Sequence, residues 1–404
     1  MDYPVLLIFL LAYLGMILGG LPGLALDRTG IALLGALLLV ALGKITPAGA
    51  WAAVDVPTIA LLFGLMVVSA QFRLGGFYTR VTRRLAEAPV RPETLLALLI
   101  LVAGGLSALL ANDIVCLAMA PVLVEGCARR GLNPKPFLLG LACAANVGSA
   151  ATLIGNPQNM LIGQSLQLSF AGYLFDGGIP ALLGLGLVWL VLVRYGRGDW
   201  QLAIPLPELD APEFDAWQTG KGLVILALLT GAFLFAPWPR EVVALGAAAL
   251  LLTSRRMASR NILGLVDWQL LVLFIALFVV NHALAASGML ASALRGLAGA
   301  GVDLSSPATL FAGTVILSNL VSNVPAVMLL LPAAEHPLAG PILALASTLA
   351  GNLLIVGSIA NIIVIDQAAR LGVQIGWREH ARVGIPVTLS TLALAAGWLW
   401  LRAF

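Results

Sequence analysis

Continuous apolar runs, not alternating ones, organise this chain. They fall at about 4–26, 30–47, 54–72, 93–128, 136–166, 169–194, 222–237, 240–254, 267–287, 306–334, 340–367 and 383–402. A helix needs roughly 20 apolar residues to cross a bilayer core. The pattern therefore predicts an all-α polytopic membrane protein; a membrane β-barrel would alternate instead. Three runs are too long or too interrupted to be simple spans. Run 93–128 carries Asn112-Asp113, run 136–166 carries Gly155-Asn156-Pro157, and run 306–334 carries Ser318-Asn319 and Ser322-Asn323-Val324-Pro325. A proline there breaks the helix and frees backbone groups, which only a protein-lined or watery cavity tolerates at membrane depth.

Composition narrows the class. The 404 residues are 60% hydrophobic and 10% charged, with a mean hydropathy of +1.02. A soluble domain is about 45–50% apolar and about 25% charged. A cytosolic enzyme, a nucleic-acid binder and a disordered chain are excluded. Cys116, Cys127 and Cys143 have no CxxC spacing, so neither a disulfide framework nor a zinc site is expected. No His-rich or Ser/His/Asp constellation sits at membrane depth, so the chain reads as a transporter rather than an enzyme, without a cofactor. Met1-Asp2-Tyr3-Pro4 has no basic stretch before its apolar run and reads as the start of a retained span.

Basic residues set the expected sidedness. Arg73, Arg80, Arg83, Arg84 and Arg91 precede run 93–128, and Arg129, Arg130 and Lys135 follow it. Both ends should be cytoplasmic, which makes the run a re-entrant hairpin with its tip near Asn112. Run 306–334 has no basic residue directly at either end and reads as a second hairpin, entering from outside. With both termini outside, all but Lys44, Arg240, Arg295 and Arg402 of the 22 basic residues collect on the cytoplasmic side. Arg73, Arg80, Arg83 and Arg84 share one side of a short amphipathic helix expected to lie along that surface.

Residues 199–220 carry Asp199, Glu208, Asp210, Glu213 and Asp215 and read as a cytoplasmic linker between two halves, 1–198 and 221–404. Each half is expected to have five spans and one hairpin in opposite orientation, the inverted-repeat plan of secondary transporters. Their broken points match in sequence. Leu106 to Asp113 aligns with Leu317 to Val324, and Ile154-Gly155-Asn156-Pro157-Gln158-Asn159 aligns with Val356-Gly357-Ser358-Ile359-Ala360-Asn361. The second pair places broken helices at about 136–166 and 340–367.

Helices that end inside a membrane leave unpaired N–H groups at one tip and unpaired C=O groups at another. Asn offers both a donor and an acceptor without the desolvation cost of a charge. The candidate site comprises Asn112, Asp113, Asn156, Asn159, Ser322, Asn323, Ser358 and Asn361 at these broken points, together with Asn146, Ser149 and Thr152 of the stretch that carries the family resemblance given below. Singly, such residues also cap helices or hold spans together. Asp113 is the sharpest of them, because a carboxylate at that depth is a proton or cation site by default. Glu125, Asp176, Glu335 and Asp366 fall nearer span ends and are expected at the interface. His282, late in its span, is expected near the outer surface. Cys116 and Cys143 would matter for a soft metalloid, although each also reads as a small buried hydrophobe.

The stretches Ala111-Asn112-Asp113, Asn146 to Asn159 and Ser322-Asn323-Val324-Pro325 resemble the ion-transporter superfamily, which includes arsenite efflux permeases, divalent-anion/sodium symporters and certain sodium/proton antiporters. The resemblance covers nearly the whole chain. It implies a scaffold domain and a transport domain, a homodimer, and elevator-like alternating access. In the sodium-coupled anion members both hairpin tips carry Ser-Asn-Thr. Here they read Ala111-Asn112-Asp113 and Ser322-Asn323-Val324, which removes both Thr hydroxyls and inserts one acid. That favours the arsenite-permease-like branch, whereas Gly155-Asn156-Pro157-Gln158-Asn159 looks closer to the anion symporters.

The expected activity is secondary transport of a small inorganic oxyanion or metalloid such as arsenite or antimonite, outward and coupled to H+, with Asp113 carrying the proton. The alternatives are Na+-coupled uptake of dicarboxylate, citrate or sulfate, and sodium/proton antiport. The expected location is the plasma (inner) membrane, multi-pass in the lipid bilayer. No P-loop occurs in the chain, so any ATPase would be a separate soluble subunit; no nucleic-acid partner is expected.

Overall fold

The computed structural model describes residues 2–20, 25–202, 204–207 and 211–403. Residues 21–24 of the first apolar run, and Glu208 and Asp210 of the linker, lie outside the described residues. All regular structure among the described residues is helical. The first half contains α1 (Tyr3–Leu18), α2 (Arg28–Ala41), α3 (Pro47–Ala52), α4 (Val56–Leu74), α5 (Phe77–Glu87), α6 (Pro92–Leu109), α7 (Asn112–Arg130), α8 (Pro134–Ser149), α9 (Pro157–Ser165) and α10 (Phe170–Tyr195). The second contains α11 (Ala216–Phe235), α12 (Arg240–Leu252), α13 (Ser259–Leu263), α14 (Trp268–Ala286), α15 (Met289–Gly299), α16 (Pro307–Val321), α17 (Asn323–Leu330), α18 (Ala339–Ala350), α19 (Ile359–Arg370) and α20 (Trp377–Ala403).

The two lists run in parallel, and local chemistry explains part of the match. Asp55 caps α4 by accepting from the Thr58 N–H at 3.0 Å, and Asp267 caps α14 by accepting from the Leu270 N–H at 2.9 Å. Such a cap satisfies one of the orphan donors of a first helical turn. Both helices then stop before a left-handed glycine, Gly76 (φ 66°) or Gly288 (φ 72°), and a short helix follows.

Among the described residues, six helices are long and apolar enough to cross a membrane: α4, α6, α10, α11, α14 and α20. The other apolar helices are shorter. α1 ends at Leu18 in a left-handed Gly19, short of the predicted run to residue 26. The 93–128 segment forms α6 and α7, joined through extended Leu110 and Ala111. The 306–334 segment forms α16 and α17, hinged at Ser322, whose φ of 78° is one of two positive values outside glycine among the described residues. The 136–166 segment forms α8 and α9. The 340–367 segment forms α18 and α19, separated by a single 3-10 turn. α6 packs tightly on α8: a Cβ on Gly148 would fall on the backbone of Gly104.

The predicted amphipathic helix is α5, but Arg73 is not on it; that residue ends α4, because the chain turns at Gly75-Gly76. α5 buries Tyr78, Thr79, Thr82 and Ala86. Glu125, expected near a span end, stands late in α7 and is 5% exposed. It accepts from Arg83 Nη2 at 3.2 Å and from Arg129 Nη2 at 2.7 Å. The arm brings a cation to it, which makes burial of the carboxylate tolerable. Its counterpart α15 has no buried residue. Asp176 meets Arg402 at 3.0 Å, Asp366 pairs with Arg370 within α19, and His282 is exposed.

The linker docks on the α4–α5 turn. The Asp215 N–H donates to the Gly75 carbonyl at 3.0 Å, and Arg80 lies over the Phe214 ring. A Cβ on Gly76 would collide with the carbonyl of Glu213, whereas one on Gly288 would meet open space. Left-handed geometry costs a non-glycine residue about 1–2 kcal/mol. Gly288→Ala is therefore expected to lower thermal stability modestly. Gly76→Ala should lower it clearly further, because the linker must also move. Thermal unfolding of both variants in detergent checks this.

Candidate functional site

Two broken helices cross at the centre of the protein, and a network of buried amides and hydroxyls joins them. Each break forms for the same local reason. Asn156, with Pro157 behind it, caps α9 by accepting from the Asn159 N–H at 2.9 Å. Ser358 caps α19 by accepting from the Ala360 N–H at 3.2 Å. Both restarting helices thus point capped N-termini, with their partial positive charge, at the crossing.

One amide per break then replaces the missing helical hydrogen bonds. Asn159 Nδ2 donates to the carbonyls of Thr152 (2.9 Å) and Ser149 (3.4 Å). Asn361 Nδ2 donates to the carbonyls of Leu354 (3.2 Å) and Gly351 (2.9 Å). The positions correspond residue for residue across the halves. Two further hydrogen bonds cross between the halves with the same correspondence. Asn156 Nδ2 donates to Thr348 Oγ1 at 3.2 Å, and the Ser358 hydroxyl donates to Asn146 Oδ1 at 2.8 Å. Asn146 Nδ2 also donates to Asn361 Oδ1 (3.1 Å) and Asn352 Oδ1 (2.8 Å). Ser149 Oγ accepts from Asn156 Nδ2 at 3.0 Å, and the Thr152 hydroxyl donates to the Ala108 carbonyl near the end of α6.

Seven of the predicted residues therefore meet in one network: Asn146, Ser149, Thr152, Asn156, Asn159, Ser358 and Asn361. Each is at most 5% exposed. Asn112, Ser322 and Asn323 sit at the hairpin tips beside it. The Asn112 N–H donates to the Gly155 carbonyl at 3.4 Å, and Asn323 Nδ2 lies next to Gly351. Asp113 lies apart from the network. It lines a cavity of about 40 Å3 with Leu62, Met66, Pro157 and Asp267. Cys116 and Cys143 are fully buried in the apolar core. Among the described residues, no group of His, Cys, Asp and Glu is arranged to hold a metal ion.

Sequence reasoning missed Thr348, Asn352 and Tyr173, and it named Asn319 as an interruption of run 306–334 without placing it in the candidate site. Thr348 stands where Asn146 stands in the first half, by the offset that pairs Asn159 with Asn361, so the repeat could have found it. Asn352 adjoins Gly351 in the unwound stretch. Tyr173 accepts from Asn159 Nδ2 at 3.2 Å and donates to the Ala150 carbonyl at 2.9 Å. Nothing in its own run marks it.

Several buried polar atoms at the tips and breaks have no hydrogen-bond partner among the described residues. They are the side-chain carbonyl oxygens of Asn112, Asn319 and Asn323, the hydroxyls of Ser107 and Ser318, and Asn352 Nδ2. Asn319 Nδ2 donates to the Val315 carbonyl at 3.0 Å, which leaves its oxygen beside Gly357. Buried polar atoms are normally paired, so this set stands out against the fully bonded network beside it. It is richer in acceptors than in donors, and no Lys or Arg lies at either tip or either break. Such a site suits a ligand that brings hydrogen-bond donors, or a cation.

The two groups of asparagines should fail differently. Asn146→Ala removes three hydrogen bonds inside the network and should cost about 1–3 kcal/mol of stability. Asn323→Ala, whose oxygen has no protein partner, should leave thermal stability nearly unchanged while abolishing ligand-induced stabilisation. Paired melting curves with and without ligand check both.

The citrate transporter family, CitMHS, matches residues 7–341. The 46 kDa membrane protein of Mycobacterium leprae is 31% identical, over 93% of this chain and 94% of its own length. The silicon efflux transporter LSI3 of Oryza sativa subsp. japonica is 30% identical, over 92% of each chain. The crystal structure of the Alcanivorax borkumensis YdaH transporter superposes with a TM-score of 0.57 over 99% of this chain and 97% of that one. At 15% identity that likeness speaks to the fold alone. With the family match spanning most of its length, this chain is a membrane transporter belonging to the citrate transporter (CitMHS) family.

Proposed function

We propose that the protein moves a small hydroxylated metalloid, such as arsenite, antimonite or silicic acid, outward by alternating access coupled to protons. The unpartnered acceptor oxygens of Asn112, Asn319 and Asn323 carry this reading. A neutral hydroxylated species presents several O–H donors and no net charge, which is what those oxygens need. A multiply charged carboxylate brings acceptors only and finds no Lys or Arg at the tips or breaks to neutralise it. That the rice relative is named for silicon efflux agrees with a hydroxylated substrate. Asp113 supplies the coupling proton. It stands at the start of α7, directly after Asn112, so its protonation alters the charge beside a hairpin tip without occupying the tip.

The family's name favours a second reading, movement of citrate or another carboxylate, for which Na+ would be the coupling ion. Ligand-dependent thermal stabilisation separates the two, because a ligand of the folded state raises apparent stability. Arsenite, antimonite, silicic acid, sulfate, succinate and citrate are compared with and without Na+ at two pH values. Stabilisation by a hydroxylated metalloid, independent of Na+ and sensitive to pH, is the expected result. Stabilisation by a carboxylate or sulfate only with Na+ would replace this reading with the second. In vesicle transport assays Asp113→Asn should lose the pH dependence; full activity with an unchanged pH profile would remove the proton from Asp113.

A further inference from the structure

Away from the helix crossing, a cavity of about 530 Å3 opens where α4 ends and α5 begins. α7, α19 and the linker residues Ala211 and Pro212 complete its wall. Its polar lining is Arg73, Tyr78, Thr79, Gln367 and Arg370, and among the described residues no acid lines it. Arg73 makes no hydrogen bond or ion pair with another described residue. Arg370 pairs through Nε with Asp366, one helical turn back and exposed, at 2.9 Å. Tyr78 is 1% exposed, and its hydroxyl has no hydrogen-bond partner among the described residues.

These observations point the same way. A buried hydroxyl left unpaired costs free energy unless something fills the position. Two guanidinium groups lining one cavity repel each other; Asp366 offsets part of this at the exposed Arg370, and an anion between the two would offset the rest. Guanidinium groups, a phenol, a threonine hydroxyl and an amide together offer many donors to one acceptor-rich guest, and arginine's fork suits the oxygens of a tetrahedral anion.

We propose that this cavity binds a small tetrahedral oxyanion, such as phosphate, sulfate or the phosphate of a lipid headgroup, through Arg73, Arg370 and the Tyr78 hydroxyl. Arg73, Tyr78 and Thr79 belong to the α4–α5 turn. Gln367 and Arg370 belong to α19, which begins at Ser358 in the polar network. An anion held by both sides ties the arm to the restarting helix and offsets the repulsion between the arginines. It therefore stabilises this arrangement of the two. The site is separate from the helix crossing, and its existence does not depend on which substrate crosses there.

The test uses full-length protein in non-ionic detergent. The unfolding midpoint is followed against sulfate and phosphate at constant ionic strength, with chloride as the balancing anion. The expected result is a saturable rise in wild type. Arg73→Gln and Arg370→Gln should each raise the half-saturating concentration roughly tenfold, the scale of one charge-assisted hydrogen bond. Tyr78→Phe keeps the ring and should raise it by about threefold, which keeps the proposal testable if an arginine variant folds poorly. A parallel series in zwitterionic nanodiscs, with and without an anionic phospholipid, identifies the source. If only the anionic lipid stabilises, and the same variants abolish the effect, the guest is a headgroup. Stabilisation that is absent from both series, or equal in wild type and all three variants, overturns the site.

Discussion

A backbone that leaves helical geometry inside a membrane must find every hydrogen-bond partner within the protein. The architecture around the crossing answers that demand. At each break the preceding helix ends with free carbonyls, and the next begins with free N–H groups. Asn159 and Asn361 close the carbonyl side, while Asn156 and Ser358 close the N–H side. Because these side chains work in pairs, the breaks are rigid features and not frayed helix ends. The hairpin tips rest against them, through the Asn112 N–H on the Gly155 carbonyl and through Asn323 beside Gly351.

The periphery of the fold is less symmetric than its centre. α5 is held down by Glu125 and by Arg130, whose guanidinium donates to the carbonyls of Ala86, Ala88 and Val90. α15 buries nothing. The centre is fixed by short, directional hydrogen bonds between buried groups, and there equivalent positions in the halves behave equivalently. The arms depend on which charged residues each half carries. The second half has only Arg295 on its arm, where the first has Arg80, Arg83 and Arg84.

Much of the centre was legible in the sequence, because Asn, Ser and Pro stand out in apolar runs and their positions repeat. Seven of the predicted polar residues share one network for that reason. The parts that were not legible depend on tertiary contact. Thr348 looks like an ordinary small residue of an apolar helix until the second helix crosses it. Glu125, close to Arg129 and Arg130 in sequence, resembled an interfacial acid; only the approach of α5 buries it. Arg73 shared a helical face with Arg80 and Arg83 on paper, but the Gly75-Gly76 turn separates them. Asp113 was picked out as an acid within an apolar run, yet its position beside Asp267 and α4 follows from packing that no local pattern encodes.

The bonds that cross between the halves also bear on how the chain is made. Asn146 is bonded to Asn361, a residue 215 positions later. At translation rates of about 5–20 residues per second, the interval between them is on the order of ten to forty seconds. Throughout that time the first broken helix is already synthesised, with its central amide unmatched and apolar residues around it. The first half therefore cannot reach its final packing when it enters the bilayer. It must wait with its polar centre hydrated or sheltered, and the nascent second half completes both centres at once.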